Sequence, residues 1–201
     1  MVIGIDEVGR GPIAGPVCVA AFQVASLSEL AKAVRKIKLP LRDSKKLSKY
    51  QREAWFVVLK QWKAEGKCDF AISLVHAETI DRIGIAPSIR RALARSLGKL
   101  EAKNKHTMKN ITILLDGGLK APKEFAKQKT IIKGDEKEQV IALASIVAKV
   151  HRDRLMTRLA KKYPNYGFAD HVGYGTRAHY KAIEKHGLTK IHRRTFIDKD
   201  I

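Results

Sequence analysis

Hydrophobic residues along the chain fall into short apolar runs and longer amphipathic stretches, which together predict strands with helices between and after them. A stretch rich in glycine and proline, residues 9–16, separates the first two apolar runs, so these runs are predicted to form a hairpin. The run 111–115 does not alternate, which indicates a strand buried on both faces, as in the centre of a mixed sheet. The predicted strands span residues 1–6, 17–24, 68–75, 111–115 and 130–132.

Helices are indicated by apolar stripes at a spacing of three and four residues and by start and stop signals. Ser48 and Gln51 match a capping box, and Gly66 ends the helix that this box opens. The predicted helices span 26–37, 48–66, 87–100, 138–159 and 178–185. Strands with helical cover give an α/β fold, and because no linker interrupts the chain, residues 1–201 are expected to form a single domain.

Charge adds a functional indication to this picture. Forty Lys and Arg residues against twenty Asp and Glu give a net charge of +20, which favours a polyanionic partner such as nucleic acid. Residues 149–194 contain twelve basic and three acidic residues, a bias that argues against a merely solubilising lysine surface. A membrane surface is disfavoured because loop signals interrupt the basic segments. With no apolar run near 18 residues and no secretory signal, we expect a cytoplasmic protein that does not span a membrane.

The cysteine and histidine residues do not indicate a disulfide framework or a metal site. Cys18 and Cys68 are too few for a disulfide framework or a four-cysteine zinc site, and their apolar neighbours favour burial in the core. Four histidines in the basic C-terminal region show no metal-ligand spacing, and they are expected to have surface or hydrogen-bonding roles; they are His171, His179, His186 and His192.

Acidic residues follow three of the predicted strands. Asp6 and Glu7 follow the apolar run of the first strand, Asp116 follows the run 111–115, and Asp135 comes shortly after the last strand. A buried acid at a strand end is costly unless it is paired or bound to a metal, although one such Asp alone is usually a turn former or a helix cap. Spacing does not fix whether the four converge. If they do, Mg²⁺ or Mn²⁺ suits them, and two such ions can act on a phosphodiester.

Five ordered blocks of sequence resemble ribonuclease HII over nearly the whole chain. The first is Gly4-Ile5-Asp6-Glu7-Val8-Gly9-Arg10-Gly11-Pro12, followed by Gly15-Pro16. The others are Asp43-Ser44-Lys45-Lys46-Leu47, Leu115-Asp116-Gly117, Lys133-Gly134-Asp135 with residues 144–154, and the block from Tyr163-Pro164 through Gly173-Tyr174-Gly175-Thr176 to His192-Arg193-Arg194-Thr195-Phe196. The segment Gly9-Arg10-Gly11 favours ribonuclease HII over ribonuclease HIII.

The resemblance implies a ribonuclease H-like fold, a mixed sheet flanked by helices with a helical C-terminal part. It implies that Asp6, Glu7, Asp116 and Asp135 are metal-binding catalytic acids that use Mn²⁺ or Mg²⁺. The implied activity is endonucleolytic hydrolysis of the RNA strand of RNA–DNA hybrids, including single ribonucleotides embedded in duplex DNA. Cleavage on the 5′ side of a ribonucleotide would leave 3′-hydroxyl and 5′-phosphate ends.

Further roles follow from the same resemblance. Gly9-Arg10-Gly11 matches the segment that reads the 2′-hydroxyl at the RNA–DNA junction, Tyr174 matches a tyrosine that stacks on a sugar, and Lys45 is expected to hold phosphate. Asp153 is a possible fifth acid of the site, with pairing to Arg152, Arg154 or Arg158 as the alternative. A monomer is expected.

Two other functions are compatible with the basic composition. One is a nuclease of similar fold that acts on DNA alone, and the other is a non-catalytic basic nucleic-acid-binding protein.

Overall fold

A mixed sheet lies at the centre of the structure, a computed structural model that describes residues 1–102 and 111–197. The strands lie in the order β3-β2-β1-β4-β5. Pairs β1–β2 and β2–β3 are antiparallel, whereas β1–β4 and β4–β5 are parallel. The strands are β1 (Val2–Val8), β2 (Val17–Val24), β3 (Cys68–Val75), β4 (Thr112–Asp116) and β5 (Gln128–Ile131).

Helices cover both faces of this sheet, which gives the ribonuclease H-like α/β architecture that was predicted. The capping box at Ser48 is present, since Ser48 Oγ accepts from Gln51 N–H and Gln51 Oε1 accepts from Ser48 N–H. The helices are α1 (Leu27–Arg35), α2 (Lys49–Ala64), α3 (Ala77–Ile83), α4 (Ile85–Glu101), α5 (Gly134–Lys137), α6 (Gln139–Lys162), α7 (Phe168–His171) and α8 (Arg177–His186), with 3₁₀ turns at Pro164–Tyr166 and Arg194–Phe196.

The two faces of the sheet bury separate cores. Helices α1, α2 and α6 pack on one face, and α4 packs on the other, where Ile3 and Ile5 of β1 meet Leu97. Helix α6 approaches β1 so closely that a Cβ on Gly4 would lie 2.3 Å from the carbonyl oxygen of Val140. Because no side chain fits between them, the N-terminal half of α6 lies directly beneath the strand that carries Asp6.

Several elements differ from the sequence prediction, and three of the differences have a clear physical reason. Strand β1 continues to Val8 because β2 supplies pairing partners as far as Cys18, so Asp6 and Glu7 lie within the strand rather than at its end. Helix α4 begins at Ile85, two residues before Pro87. Proline is tolerated there because the backbone N–H that it lacks would have no acceptor in the first turn of a helix. Helix α3 was not predicted, since it is only seven residues long and has two buried residues, Ala77 and Ile80.

Both cysteines are buried and unpaired, in agreement with their prediction as core residues. Burial raises the pKa of the Cys18 and Cys68 thiols to about 12, so neither is a reactive thiolate near neutral pH. In the described part of the chain, no helix has the length and apolar content needed to cross a bilayer.

A buried histidine pair joins the C-terminal elements. His192 Nδ1 accepts from the backbone N–H of Thr189 at 2.8 Å, so the neutral His192 ring carries its proton on Nε2. That proton is donated to His179 Nε2 at 3.0 Å, and His179 Nδ1 in turn donates to the carbonyl oxygen of Tyr174 at 2.9 Å. The hydrogen-bonding role expected for these two histidines is confirmed, and it requires both rings to be neutral.

This pair predicts a specific loss of stability in acid. Burial and the neighbouring His179 lower the pKa of His192 to about 4, whereas the unfolded value is near 6.5. The contribution of the neutral His192 ring to the free energy of unfolding is therefore complete above pH 6.5 and is lost as the pH falls towards 4. In denaturant titrations across this range, the unfolding free energy of the wild type should fall more steeply than that of His192→Gln, by up to about 1.4 kcal/mol per pH unit. The exposed His76→Gln should keep the wild-type slope, and equal slopes for wild type and His192→Gln would contradict the assignment.

Candidate active site

Three carboxylates meet where β1 and β4 run side by side. The parallel register pairs Ile5 with Leu115, so Asp6 and Asp116 are neighbours across the two strands, and Glu7 follows Asp6. One carboxylate oxygen from each of the three lies within 4.8 Å of the others. Of the acids predicted from sequence, the fold thus brings these three into one group.

Without a bound cation, this buried group of carboxylates is electrostatically unfavourable. Asp6 is 5% exposed, and its pKa is raised well above the usual value by burial, with a further contribution from the charges of Glu7 and Asp116. The pKa of Glu7 is raised by burial and by Asp116. The Arg10 guanidinium is 4.0 Å from the Glu7 carboxylate, and hydrogen bonds from Ser145 and the Glu7 amide only partly offset the cost at Asp6.

One oxygen of this group lacks a partner. Among the described residues, Glu7 Oε2 is buried and has no hydrogen-bond donor. A buried carboxylate oxygen without a donor costs free energy unless a cation approaches it. Closely spaced carboxylate oxygens are the ligands that Mg²⁺ and Mn²⁺ prefer, so Asp6, Glu7 and Asp116 fit a divalent cation.

Asp135 adjoins the group from the first turn of α5. Lys133 adopts a left-handed conformation and turns the chain so that the Gly134 N–H donates to Asp116 Oδ1 at 2.7 Å. Asp135 is hydrogen-bonded to Asp43, and its pKa is raised to about 6 by burial and by the charges of Asp116 and Asp43. Its oxygens lie outside the group of three, so Asp135 is next to the site rather than within its closest cluster.

A cleft of about 330 Å³ opens over the acids and contains two of the residues predicted to bind substrate, Lys45 and Tyr174. The segment Gly9-Arg10-Gly11 continues directly from β1, and a Cβ on Gly11 would lie 3.8 Å from the Tyr174 ring. The cleft is also lined by Arg52, which sequence reasoning missed because its position on α2 carries no motif.

The prediction for the partners of Asp153 was wrong. Asp153 pairs with Lys149 at 2.8 Å and lies 3.7 Å from Arg52. Lys149 precedes it by one helical turn, whereas Arg152 is turned into the interior and Arg154 pairs with Glu53. Asp153 also lies outside the group of three carboxylates, so it supports basic side chains of the cleft instead of extending the acid cluster.

Comparison with known proteins decides the family. The sequence profile of the Ribonuclease HII family matches residues 3–199. The chain belongs to the ribonuclease HII family. The resemblance and the type of enzyme predicted from the five sequence blocks are thereby confirmed.

Individual relatives agree with the ribonuclease HII assignment. A ribonuclease HII from Endomicrobium trichonymphae is 42% identical over 195 residues, which cover 97% of this chain and 84% of that protein. One from Fusobacterium nucleatum is 42% identical over 201 residues, covering 98% and 86%.

Solved structures show the same fold. The structure of the PCNA:RNase HII complex from Archaeoglobus fulgidus contains a chain similar to this one, with a TM-score of 0.71 and 25% identity over 99% of this chain and 96% of that chain. The ribonuclease H2 from Pyrococcus horikoshii has a TM-score of 0.65 and 28% identity, covering 96% and 92%.

The crowded acids predict that Asp6→Asn stabilises the metal-free protein. Because the folded pKa of Asp6 is raised, its ionisation reduces stability as the pH rises through that pKa. In EDTA at pH 7.5, Asp6→Asn should melt higher than the wild type, by roughly 2–4 °C for each kcal/mol that burial and charge repulsion cost at Asp6. Asp170→Asn, an exposed substitution with the same charge change, serves as the control and should leave the melting temperature unchanged. A lower melting temperature for Asp6→Asn would show that the cluster is not under strain.

Proposed function

We propose that this ribonuclease HII hydrolyses the RNA strand of RNA–DNA hybrids and cuts duplex DNA at single embedded ribonucleotides, leaving 3′-hydroxyl and 5′-phosphate ends. The observation that carries the proposal is the group of Asp6, Glu7 and Asp116 oxygens, with the unpartnered Glu7 Oε2, at the base of a basic cleft. A protein that only bound nucleic acid would have no use for such a costly group of acids.

Asp6, Glu7 and Asp116 would hold Mg²⁺ or Mn²⁺, with Asp135 as a further ligand. When bound, such ions supply Lewis acidity to the phosphodiester and lower the pKa of water. Burial raises the pKa values of Asp6, Glu7 and Asp135, so protons compete with a cation for these carboxylates up to a higher pH than is usual for Asp and Glu. The Gly134 amide keeps Asp116 oriented by donating to its Oδ1.

Basic side chains around the cleft account for binding of the substrate backbone. Lys45 and Lys149 line the cleft beside the acids and are placed to contact phosphates. Arg52 adds positive charge to the cleft while it donates to the carbonyl oxygens of Ser44 and Leu47. Tyr174 is 44% exposed, so its ring is available to stack on a sugar. Asp153 pairs with Lys149 and keeps this lysine extended along α6.

Recognition of the ribose is assigned to Gly9-Arg10-Gly11. The segment leads directly from the strand that carries Asp6 and Glu7, and it adjoins Tyr174. Backbone groups exposed at glycine can approach a sugar closely, and the 2′-hydroxyl is the group that distinguishes RNA from DNA. The monomeric state, the cytoplasmic location and the single-domain boundary stay predictions.

A duplex containing one ribonucleotide tests the proposal. With Mg²⁺ or Mn²⁺ the protein should nick it on the 5′ side of the ribonucleotide and leave the all-DNA duplex intact. Asp116→Asn should lower the cleavage rate by more than about 100-fold, since even the outer partners of metal ligands affect affinity or activity by 10- to 100-fold. Asp170→Asn should cleave normally.

Three outcomes would contradict the proposal. Equal cutting of both duplexes would indicate a nuclease indifferent to the 2′-hydroxyl. Salt-sensitive binding of both duplexes without metal-dependent cleavage would indicate the non-catalytic binding protein. Near-normal turnover by Asp116→Asn would overturn the carboxylate assignment.

A further inference from the structure

Arg193 is a fully buried arginine that contacts the proposed ribose-reading segment. Its guanidinium donates three hydrogen bonds to backbone carbonyls. Nη2 reaches the oxygen of Gly9 at 2.6 Å, Nη1 reaches that of Arg10 at 3.0 Å, and Nε reaches that of Gly15 at 2.9 Å. The backbone is fixed as well, since the Arg193 N–H donates to the Ile13 carbonyl at 2.7 Å.

This buried cation is held without an acid. Across residues 1–102 and 111–197, no carboxylate lies within ion-pair distance of the Arg193 guanidinium. Burial and the positive charge of Arg152 lower the pKa of Arg193 to about 9. The Phe196 ring at 5.1 Å and the more distant charge of Asp81 add to the carbonyl dipoles, but a buried charge without an ion pair is still costly. Arg193 therefore acts by holding those carbonyls in place rather than by adding net stability.

Because of peptide geometry, the hydrogen bonds from Arg193 also determine where two backbone N–H donors point. In a planar trans peptide the C=O and the following N–H point in opposite directions. Because the Gly9 and Arg10 carbonyls point inwards to Arg193, the N–H groups of Arg10 and Gly11 point outwards. Both residues are exposed, and within the described part of the chain neither amide has an acceptor.

We propose that Arg193 is a positioning residue that sets ribose specificity by turning the Arg10 and Gly11 amides towards the 2′-hydroxyl oxygen. The inference rests on the proposed function of this segment, and it adds the residue that determines which backbone groups face the sugar. A lysine cannot replace Arg193, because one ammonium lacks the planar fork that holds several carbonyls at fixed angles.

Arg193→Lys tests this role while preserving the charge. Single-turnover cleavage is compared on two duplexes that differ only in one sugar, a ribonucleotide or its 2′-fluoro analogue, which lacks the hydroxyl. The wild type should strongly prefer the ribonucleotide. In Arg193→Lys this preference should fall by about 10-fold or more, because the rate on the ribonucleotide drops while the rate on the analogue changes little.

Two control variants separate positioning from stability. Leu97→Ala opens a cavity in the core beneath α4, and it should lower the melting temperature while keeping the wild-type preference. Arg194→Lys changes the exposed neighbouring arginine and should affect neither quantity. A parallel fall of both rates in Arg193→Lys, or an unchanged preference, would overturn the role of Arg193.

The preference of the wild type for the ribonucleotide over the 2′-fluoro analogue tests the proposed ribose recognition separately from the role of Arg193. If the wild type cleaves the ribonucleotide and the analogue equally, ribose reading itself fails, and the positioning role fails with it. A strong wild-type preference that survives in Arg193→Lys overturns the positioning role alone.

Amide exchange in the wild type provides a test that does not depend on how well Arg193→Lys folds. In EDTA, where no cleavage occurs, the Arg10 and Gly11 amides should exchange rapidly in the free protein. The ribonucleotide duplex should protect them, and the 2′-fluoro duplex should not. Equal protection by both duplexes, or amides already protected in the free protein, would overturn the proposed orientation.

Discussion

The parallel pairing of β1 with β4, with α6 packed against β1, is the constraint on which the rest of the site depends. It places Asp6, Glu7 and Asp116 together in a buried environment, where like charges repel and desolvation raises the pKa values of Asp6 and Glu7. The close contact at Gly4 holds the helix and the strand in this relation. The fold therefore maintains an arrangement that the acids alone would disfavour, and a divalent cation is the partner whose chemistry suits it.

Much of the fold and the acids of the site could be predicted from the sequence. The apolar runs located the strands, and the position of Asp116 after a buried run pointed to the end of β4. Hydrophobic pattern did not show that β1 continues beyond Asp6 to Val8, because the extension depends on pairing with β2. The hydrogen bond between Asp43 and Asp135 also escaped prediction, since it joins residues far apart in the chain.

Basic residues illustrate a second limit of sequence reasoning. Composition treated Arg152 and Arg193 as part of a cationic surface, yet both are fully buried and bind backbone carbonyls. Arg152 donates to the carbonyls of Ala14, Pro16 and Val172, while Arg193 holds the segment after β1. Only the tertiary structure separates arginines that meet nucleic acid from arginines that shape the loops around the cleft.

Calorimetric titration of Mg²⁺ or Mn²⁺ into the metal-free protein tests most directly whether the acid cluster is completed by a cation. At pH 6, in two buffers of different ionisation enthalpy, binding should release protons, because the pKa of Asp135 is about 6 and those of Asp6 and Glu7 are raised. Asp6→Asn should bind more weakly and release fewer protons. Absence of binding, or binding without proton release, would contradict the account.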